Sequence, residues 1–443
     1  MSRGIFYLLV EESAREMQAR MLVAVHAARL GFEVVIGPQW ALIEQARRLP
    51  AGVMLFKGNN TVQVDNMARA RAAGHAVASI EEEVLGLIDE GRIIDTYDPR
   101  VGRYCDLALA QGPFQRACLE RRYPDLAGKV AVTGNPRLDL LRPPLNASVM
   151  KSAARIRERR GAFILVNSNY SSINPNQGDV LTGFRGWIQT RFLDQNNPAD
   201  IEYFFSYCGW ERANLRALLG FLDQATAGPL AGRVVLRPHP AENIRRWRDG
   251  FGADTRVKIV QDSDHLSWIA ASAALVHTSC TTGLEAALLG TPSLNIITGD
   301  WPWTQHYATM IASRLFTDTR EAVEAATNFL EAVDDASRGR RGSPSPRLDP
   351  PPGLDAHFLI DAISAAERVA DALAALHGKI VSRAAGPLDV ADRPLADWQA
   401  RKFSTTVDDA RGMLGEFVTA LGIRETLTVE ALAGGSLLVR GGA

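Results

Sequence analysis

A histidine flanked by two prolines is the first residue of this sequence whose surroundings suggest chemistry. The run Arg237-Pro238-His239-Pro240 directly follows the apolar run 234–236, and its prolines restrict the backbone on both sides of the imidazole. A guanidinium can pair with a phosphate through two hydrogen bonds, and an imidazole can donate a hydrogen bond or a proton to it. Arg237 and His239 are therefore candidates for phosphate binding, and a histidine that only caps a turn is the alternative.

Small hydroxyl residues form the second candidate. The run Thr278-Ser279-Cys280-Thr281-Thr282-Gly283 lies between the apolar run 274–277 and a helical pattern that contains Glu285. Hydroxyl and free backbone N–H groups at the start of a helix can bind phosphate, although Ser and Thr also cap helices without any ligand. The residues expected around the phosphate are Ser279, Thr281, Thr282 and Gly283. Glu285 would then either accept ribose hydroxyls or close a capping box.

Carboxylates follow another apolar run, 76–80. Glu81, Glu82 and Glu83 are adjacent, so they repel one another, and one that faced a cleft would have the raised pKa that general acid–base catalysis needs. A solvated acidic turn is the alternative. Glu11 and Arg15 follow the first apolar run, and they would either bind an acceptor or form surface ion pairs.

Two further runs bear on the site. The polar loop from Asn167 to Asn174, which includes Asn169, follows the apolar run 163–166 and either lines a binding cleft or is a plain surface loop. Asp262-Ser263-Asp264 has the form of a metal-binding DxD motif, but it lies directly before a helical pattern, where helix caps are favoured. No other spacing of acidic residues or histidines suggests a metal, and the glycine-rich patterns of dinucleotide and P-loop sites are absent.

The elements that must position these residues form a repeating pattern. Apolar runs alternate with amphipathic stretches of helical period, which indicates parallel sheets built from βαβ units. The pattern restarts after a basic helical connector at 151–160, so we predict an α/β protein with two doubly wound Rossmann-like domains facing a cleft. Ligands bind such sheets at the carboxyl ends of the strands.

We predict five regions along the 443 residues. They are a first Rossmann-like domain at 1–145, a second Rossmann-like domain at 146–334, a linker rich in Pro, Arg and Ser at 335–355, a C-terminal helix at 356–378, and a tail at 379–443 that has a helix near 408–421 and no assigned role.

Composition narrows the class of protein. Lys and Arg total 49 against 50 for Asp and Glu, and this balance argues against a nucleic-acid surface. Four cysteines without CxxC spacing fit a reducing cytoplasm. The sequence contains no apolar run of about 18 residues, the length that spans a bilayer. We therefore expect a cytoplasmic protein and leave open a peripheral association with the inner membrane.

Together, these runs resemble the GT-B glycosyltransferases that build bacterial surface polysaccharides. The similarity is to the surface carbohydrate biosynthesis family, which is related to the retaining β-Kdo transferases of capsule and O-antigen (lipopolysaccharide) assembly. It covers about residues 5 to 378 and includes Thr133-Gly134-Asn135-Pro136-Arg137 as well as the runs described above.

The resemblance implies that the second domain binds a nucleotide sugar, expected to be CMP-linked and to carry Kdo or a related ulosonic acid. It implies donor binding by His239 and the Ser279–Gly283 turn, and acceptor binding by the first domain. It also implies a reaction centre near Glu82 or Glu83, with Asp89 and Asp95 as other candidate nucleophiles. The acceptor would be a glycan or glycolipid, and neither a cofactor nor a metal would be needed. The alternatives are a nucleotide-sugar 2-epimerase, a polyol-phosphate transferase and a non-catalytic assembly subunit.

Overall fold

The chain folds into two compact units, seen in a computed structural model that describes residues 2–189, 192–251, 256–262, 264–338, 352–380, 388–391 and 395–442. The first unit comprises Met1–Ser148 and Asp355–Ala443, and the second comprises Val149–Leu354. Most of the linker predicted at 335–355 lies outside the described residues, as do parts of the tail.

The first unit is built on a sheet of eight strands in the order β13-β14-β2-β1-β3-β4-β5-β6. Its strands are β1 (Ile5–Val10), β2 (Glu33–Pro38), β3 (Val53–Phe56), β4 (Ala76–Ile80), β5 (Leu107–Ala110), β6 (Val130–Val132), β13 (Leu427–Ala431) and β14 (Leu437–Gly441). Its helices are α1 (Ser13–Arg29), α2 (Gln39–Glu44), α3 (Thr61–Ala72), α4 (Glu90–Asp95), α5 (Val101–Tyr104), α6 (Pro113–Arg122), α7 (Pro136–Asp139), α16 (Ala365–Ile380), α17 (Asp397–Lys402) and α18 (Val407–Ala420).

Strand β1 shows why the sheet is covered on both faces. All six of its residues are buried, and alternate side chains point to opposite faces of a strand. Phe6 and Leu8 belong to one apolar core, together with α1 and α16, whereas Tyr7 and Leu9 belong to a second core on the other face. A strand buried on both faces needs a continuous apolar run, which is the pattern that this sequence has.

The tail, to which the sequence assigned no role, completes the first unit. Strand β14 pairs antiparallel with β2, with Val439 opposite Val34, and β13 pairs with β14. Phe403 is buried, and Ala391 donates a backbone hydrogen bond of 2.7 Å to Gln45. The tail therefore covers an edge of the sheet that β2 would otherwise expose.

The C-terminal helix begins later than predicted. The expected span is 356–378, but α16 starts at Ala365, and its first N–H groups, those of Ala365 and Ala366, donate to the Asp139 carboxylate at 3.0 and 2.9 Å. The preceding segment is held away from helical geometry because Leu359 donates to the Gln111 carbonyl at 2.8 Å. Capping by a residue more than 200 positions away leaves no local signal in the sequence.

The second unit has a six-stranded sheet in the order β12-β11-β10-β7-β8-β9, with every pair parallel. Its strands are β7 (Ile164–Asn167), β8 (Val234–Arg237), β9 (Val257–Ile259), β10 (Ala274–His277), β11 (Ser293–Ile296) and β12 (Arg314–Phe316). Its helices are α8 (Ala147–Arg160), which begins just before the unit boundary, α9 (Val180–Gln189), α10 (Pro198–Ala227), α11 (Ile244–Phe251), α12 (His265–Ala271), α13 (Thr282–Leu288), α14 (Thr309–Ala312) and α15 (Thr319–Ser337).

The predicted fold class is confirmed for each unit: the sheet of the second unit is all parallel, and that of the first unit has six parallel strands extended by the antiparallel β14 and β13, with helices packed against both sheets. Among the elements that the pattern missed are α9, the edge strand β12 and the hairpin of β13 and β14. In the part of the chain that the structure describes, no helix combines the length and apolar character needed to cross a membrane.

Candidate functional site

The carboxyl ends of three neighbouring strands of the second unit are joined by side-chain hydrogen bonds. Strand β7 lies between β10 and β8, and two consecutive residues at its end reach in both directions. Asn167 donates to the Thr282 hydroxyl at 3.2 Å, and Ser168 donates to the Glu242 carboxylate at 2.7 Å. The loop that starts at Thr278 and the loop that contains His239 are thereby brought to the same edge of the sheet.

Glu242 holds the histidine loop. This carboxylate is 1% exposed, and it accepts hydrogen bonds from the Ser168 hydroxyl, from the backbone N–H of His239 at 3.2 Å and from the Trp247 indole at 2.9 Å. A buried charged acceptor with three donors is satisfied and specific in its geometry. Glu242 therefore fixes the backbone that carries the histidine.

We expect Glu242→Gln to lower the free energy of unfolding by about 1–3 kcal/mol, because an amide replaces one acceptor with a donor in a buried site. Urea unfolding measures the change. Gln261→Ala is the control, since Gln261 contacts the same loop from an exposed position through a 3.3 Å bond to the His239 carbonyl. Equal stability of both variants would contradict this role of Glu242.

His239 itself is exposed. Its Nδ1 accepts a hydrogen bond from the Ala241 backbone N–H at 3.1 Å, so in the neutral ring the proton lies on Nε2. The imidazole can thus donate a hydrogen bond from the strand end, as phosphate binding requires.

The turn after β10 is held in an uncommon backbone conformation. Ser279 has a φ of 54°, the only positive φ among the described non-glycine residues. Its N–H donates to the Asn295 amide at 2.7 Å, and the next N–H, that of Cys280, donates to His277 Nδ1 at 3.2 Å. Strained turns of this kind are concentrated at binding sites. These two N–H groups point into the protein, so they are not the free donors that the sequence suggested.

The hydroxyl groups of the turn differ in their surroundings. Thr282 accepts from Asn167 and donates to the Cys280 sulfur at 3.2 Å, so its hydroxyl is already used within the turn. Thr281 is exposed and is the more accessible donor. Because α13 has only seven residues, side chains rather than a helix dipole would supply most of the binding at this turn.

His277 supports the turn after β10 by accepting the hydrogen bond from the Cys280 N–H. It is fully buried, and its Nε2 lies 3.0 Å from the Ser293 hydroxyl and 3.2 Å from the Thr309 hydroxyl. Since Nδ1 accepts from Cys280, the neutral ring carries its proton on Nε2. Burial lowers the pKa of His277 to about 3, which keeps the ring neutral.

This lowered pKa gives the second unit a pH dependence. Between about pH 6.5 and 3 the unfolded chain protonates His277 and the native protein does not, so stability falls as the pH falls. The expected loss is about 1.4 kcal/mol for each pH unit in this window. NMR titration of the His277 ring measures the pKa directly, and a midpoint near 6.5 would contradict this environment.

The remaining predicted donor residues take part in local pairs. Arg237 is 6% exposed and reaches the Asp262 carboxylate at 3.3 Å, so a phosphate would compete with that carboxylate. Glu285 lies 3.2 Å from His265 Nε2, and Asn169 is half-buried beside Ser168. The donor-site residues therefore remain predictions, and the side chains of Arg237, Thr282 and Glu285 are already engaged by protein partners.

The DxD run serves the fold, as the sequence favoured. Asp264 caps α12 by accepting from the Ser267 N–H, and Asp262 accepts from the Trp268 indole at 2.8 Å. Ser263 lies outside the described residues. Among those described, no group of three or more His, Cys, Asp or Glu side chains is placed to hold a metal.

In the first unit, the predicted carboxylates lie in one network of charges at the strand ends. Glu82 is 2% exposed at its side chain and pairs with the equally buried Arg20 at 3.4 Å, with Arg137 at 3.8 Å. Glu83 is half exposed and pairs with Arg15 at 3.3 Å. Of the three predicted catalytic residues, Glu82, Glu83 and His239, two are carboxylates, and Glu83 is the accessible carboxylate.

Glu81, which was not among the predicted site residues, is the carboxylate of the acidic run whose pKa is raised. Burial raises the pKa of Glu81 to about 8, although hydrogen bonds from the N–H groups of Glu83 and Asn59 oppose the shift. The predicted cause was repulsion within the acidic run, whereas the main cause is burial. Because its oxygens accept bonds from these groups, Glu81 shapes the turn that presents Glu83.

Three residues of the candidate site in the second unit were not predicted from the sequence: Glu242, His277 and Asn295. Each is a polar side chain in a buried position, and Asn295 lies between the apolar residues Leu294 and Ile296 of strand β11. A polar residue inside an apolar run is the signal that could have indicated Asn295.

Comparisons with known proteins were made for the whole chain. No family model matches it, and no curated protein matches it. Similar solved structures include a UDP-GlcNAc 2-epimerase from Methanocaldococcus jannaschii, with 13% identity, 84% of this chain and 99% of that chain covered, and a TM-score of 0.49. MnaA of S. aureus, in complex with UDP, has 15% identity, 87% and 99% coverage, and a TM-score of 0.47. HepE of Anabaena, in complex with UDP, has 11% identity, 86% and 97% coverage, and a TM-score of 0.42. Similarity at this level does not extend the activity of these proteins to this chain.

Proposed function

We propose that this protein is an enzyme acting on a nucleotide sugar and that it transfers the sugar to an acceptor. The nucleotide phosphate would bind the second unit, between the Nε2–H of His239 and the hydroxyl of Thr281. The first unit would bind the acceptor near Glu11, Arg15 and Glu83.

One observation carries the proposal: Asn167 and Ser168 connect the loop that contains His239 with the turn that contains Thr281, at the carboxyl ends of adjacent parallel strands. Ligands bind open α/β sheets at this edge. A scaffold of buried hydrogen bonds holds donors in place before a ligand arrives, which lowers the cost of ordering them on binding.

The chemistry of transfer fits these groups. The bond between the anomeric carbon and the phosphate oxygen breaks, its electron pair stays on the phosphate, and the acceptor hydroxyl bonds to the carbon as its proton passes to solvent. Donors from His239 and Thr281 would stabilise the developing negative charge more than the ground state. Glu83 would stabilise the positive charge that develops on the sugar, as carboxylates do in glycoside hydrolysis.

A CMP-linked donor that carries Kdo or a related ulosonic acid is the finer proposal, and it comes from the sequence resemblance alone. The 2-epimerase and polyol-phosphate transferase alternatives would bind a nucleotide at the same site, whereas the non-catalytic alternative needs none. They are distinguished by their products.

The test is product analysis with isotopically labelled CMP-, UDP- and GDP-sugars and a bacterial glycolipid extract as acceptor. We expect free nucleotide and label in the extract with wild type and with Arg401→Gln, a surface control in the first unit, but at least a hundredfold less with His239→Ala. A sugar that remains linked to its nucleotide but has an altered configuration at C2 would indicate 2-epimerisation instead of transfer. Phosphate that travels with the label would indicate polyol-phosphate transfer, and no turnover of any donor would contradict an enzyme.

A further inference from the structure

The C-terminal tail brings a cation to the predicted acceptor site. Helix α17 lies against the first unit: Trp398 contacts Trp40 with ring centroids 5.3 Å apart, and Phe403, directly after the helix, is buried. These contacts fix the last residue of the helix, Lys402. Its Nζ lies 2.9 Å from Oε1 of Glu11.

Glu11 is shared by two lysines. Its Oε2 lies 2.7 Å from Nζ of Lys57, and its Oε1 contacts Lys402. Glu11 follows β1 and Lys57 follows β3, so both lie at the carboxyl edge of the first sheet. Burial alone would raise the pKa of Glu11, but hydrogen bonds from Lys57 and Lys402 outweigh it and lower the pKa. Glu11 is therefore an ionised anchor for both ammonium groups.

The accessible part of this network carries more positive than negative charge. Its cations are Arg15, Lys57 and Lys402, and its carboxylates are Glu11 and Glu83, all joined by the ion pairs described. Without Lys402 the accessible cations and carboxylates would be equal in number, so the tail is the source of the excess.

The charges beneath this surface do not cancel the excess. Glu82 pairs with both Arg20 and Arg137. Burial raises the pKa of Glu16, which favours its neutral form, and Glu81, with its pKa near 8, is largely uncharged at neutral pH. The side chain of Lys402 is 40% exposed, and an ammonium has three donors, so hydrogen atoms remain for a ligand after the bond to Glu11.

We propose that Lys402 is an acceptor-binding residue supplied by the tail, and that the acceptor group it binds is an anion, a carboxylate or a phosphate on a sugar. This inference rests on the proposed function, since it concerns the acceptor side of the same reaction. It gives the tail a role in substrate selection in addition to covering the sheet edge.

The test uses three probes with one ring: galactose, galacturonate and galactose 6-phosphate, titrated into the full-length protein by saturation-transfer NMR. We expect at least one of the two anions to bind wild type about tenfold more tightly than galactose, which is the scale of a charge-assisted hydrogen bond. Lys402→Ala should remove this preference and leave galactose binding unchanged. Galacturonate and galactose 6-phosphate distinguish a carboxylate from a phosphate as the recognised group.

Two variants serve as controls. Lys402→Arg keeps the cation and should retain most of the preference, which separates charge from packing. Arg401→Gln removes an exposed cation from the same helix and should bind the anions as wild type does. Equal affinity for galactose and both anions in wild type, or an unchanged preference in Lys402→Ala, would overturn the inference.

Nucleotide binding by the same samples separates this inference from the proposed function. Thermal shifts with CMP and UDP report on the second unit and should not change in Lys402→Ala. A protein that binds nucleotide but shows no anion preference retains the proposed function and refutes the role of Lys402. A protein that binds anions through Lys402 but binds no nucleotide supports the cation site and refutes the proposed function.

Discussion

Glu82→Ala is expected to lower the free energy of unfolding by about 3–5 kcal/mol, because it leaves the Arg20 guanidinium buried without its carboxylate. The side chains of Arg20 and Glu82 are 1% and 2% exposed, and Arg20 also contacts the Leu9 carbonyl at 3.4 Å. Water cannot take the place of the lost carboxylate at such a depth. A loss of this size is a large fraction of the free energy of unfolding of an ordinary domain.

Denaturant unfolding monitored by circular dichroism measures this loss. Glu83→Ala is the matched control: the neighbouring carboxylate is 49% exposed at its side chain and pairs with Arg15, and exposed ion pairs contribute about 0–1 kcal/mol. If the two variants unfold at the same denaturant concentration, the buried pair does not have this role.

The difference in burial between Glu82 and Glu83 also bears on which carboxylate takes part in the reaction. Loss of activity in Glu82→Ala follows from its structural role and assigns no chemistry to Glu82. Activity lost in Glu83→Ala, with stability near that of wild type, would point to a contact between Glu83 and the substrate.

Gly283→Ala is expected to lower the free energy of unfolding by about 1–3 kcal/mol and to abolish nucleotide binding. A Cβ at this position would lie 2.6 Å from His277 Nε2 and 2.9 Å from the Ser313 hydroxyl, and it would contact the Thr309 hydroxyl still more closely. His277 and Thr309 are buried, and all three side chains are hydrogen-bonded to one another, so the backbone must move instead. The backbone that moves is the turn that contains Thr281.

Gly186→Ala is the control for this prediction. Gly186 lies within α9, and a Cβ there would have no neighbour within 4 Å, so alanine should raise the stability by up to about 1 kcal/mol. Thermal unfolding with and without UDP or CMP measures both effects. Gly283→Ala with wild-type stability and wild-type nucleotide binding would contradict the close packing beneath the turn.

The sequence predicts the frame of the molecule well because burial on both faces of a parallel strand leaves a continuous apolar run. Strands β4 and β10 have the bounds of the predicted apolar runs 76–80 and 274–277. The strand ends locate His239 and Thr281 for the same reason, since both residues follow closely on the end of an apolar run.

What the sequence does not reveal depends on contacts between distant residues. The start of α16 is set by Asp139, and the histidine loop is held by Glu242 through Ser168, 74 residues away. The contact of Lys402 with Glu11 joins residues 391 positions apart. Local periodicity in the sequence does not indicate contacts between such distant residues, and for this reason no role could be predicted for the tail.

The central claim is that a nucleotide phosphate binds where β7, β8 and β10 end, and isothermal titration with CMP, UDP, CDP and GDP tests it most directly. The account predicts selective binding of one nucleotide by wild type and by the control Arg314→Ala, a surface cation of the same unit, and binding weakened about tenfold or more in both His239→Ala and Thr281→Ala. Binding of no nucleotide, or equal binding by wild type and both site variants, would contradict it.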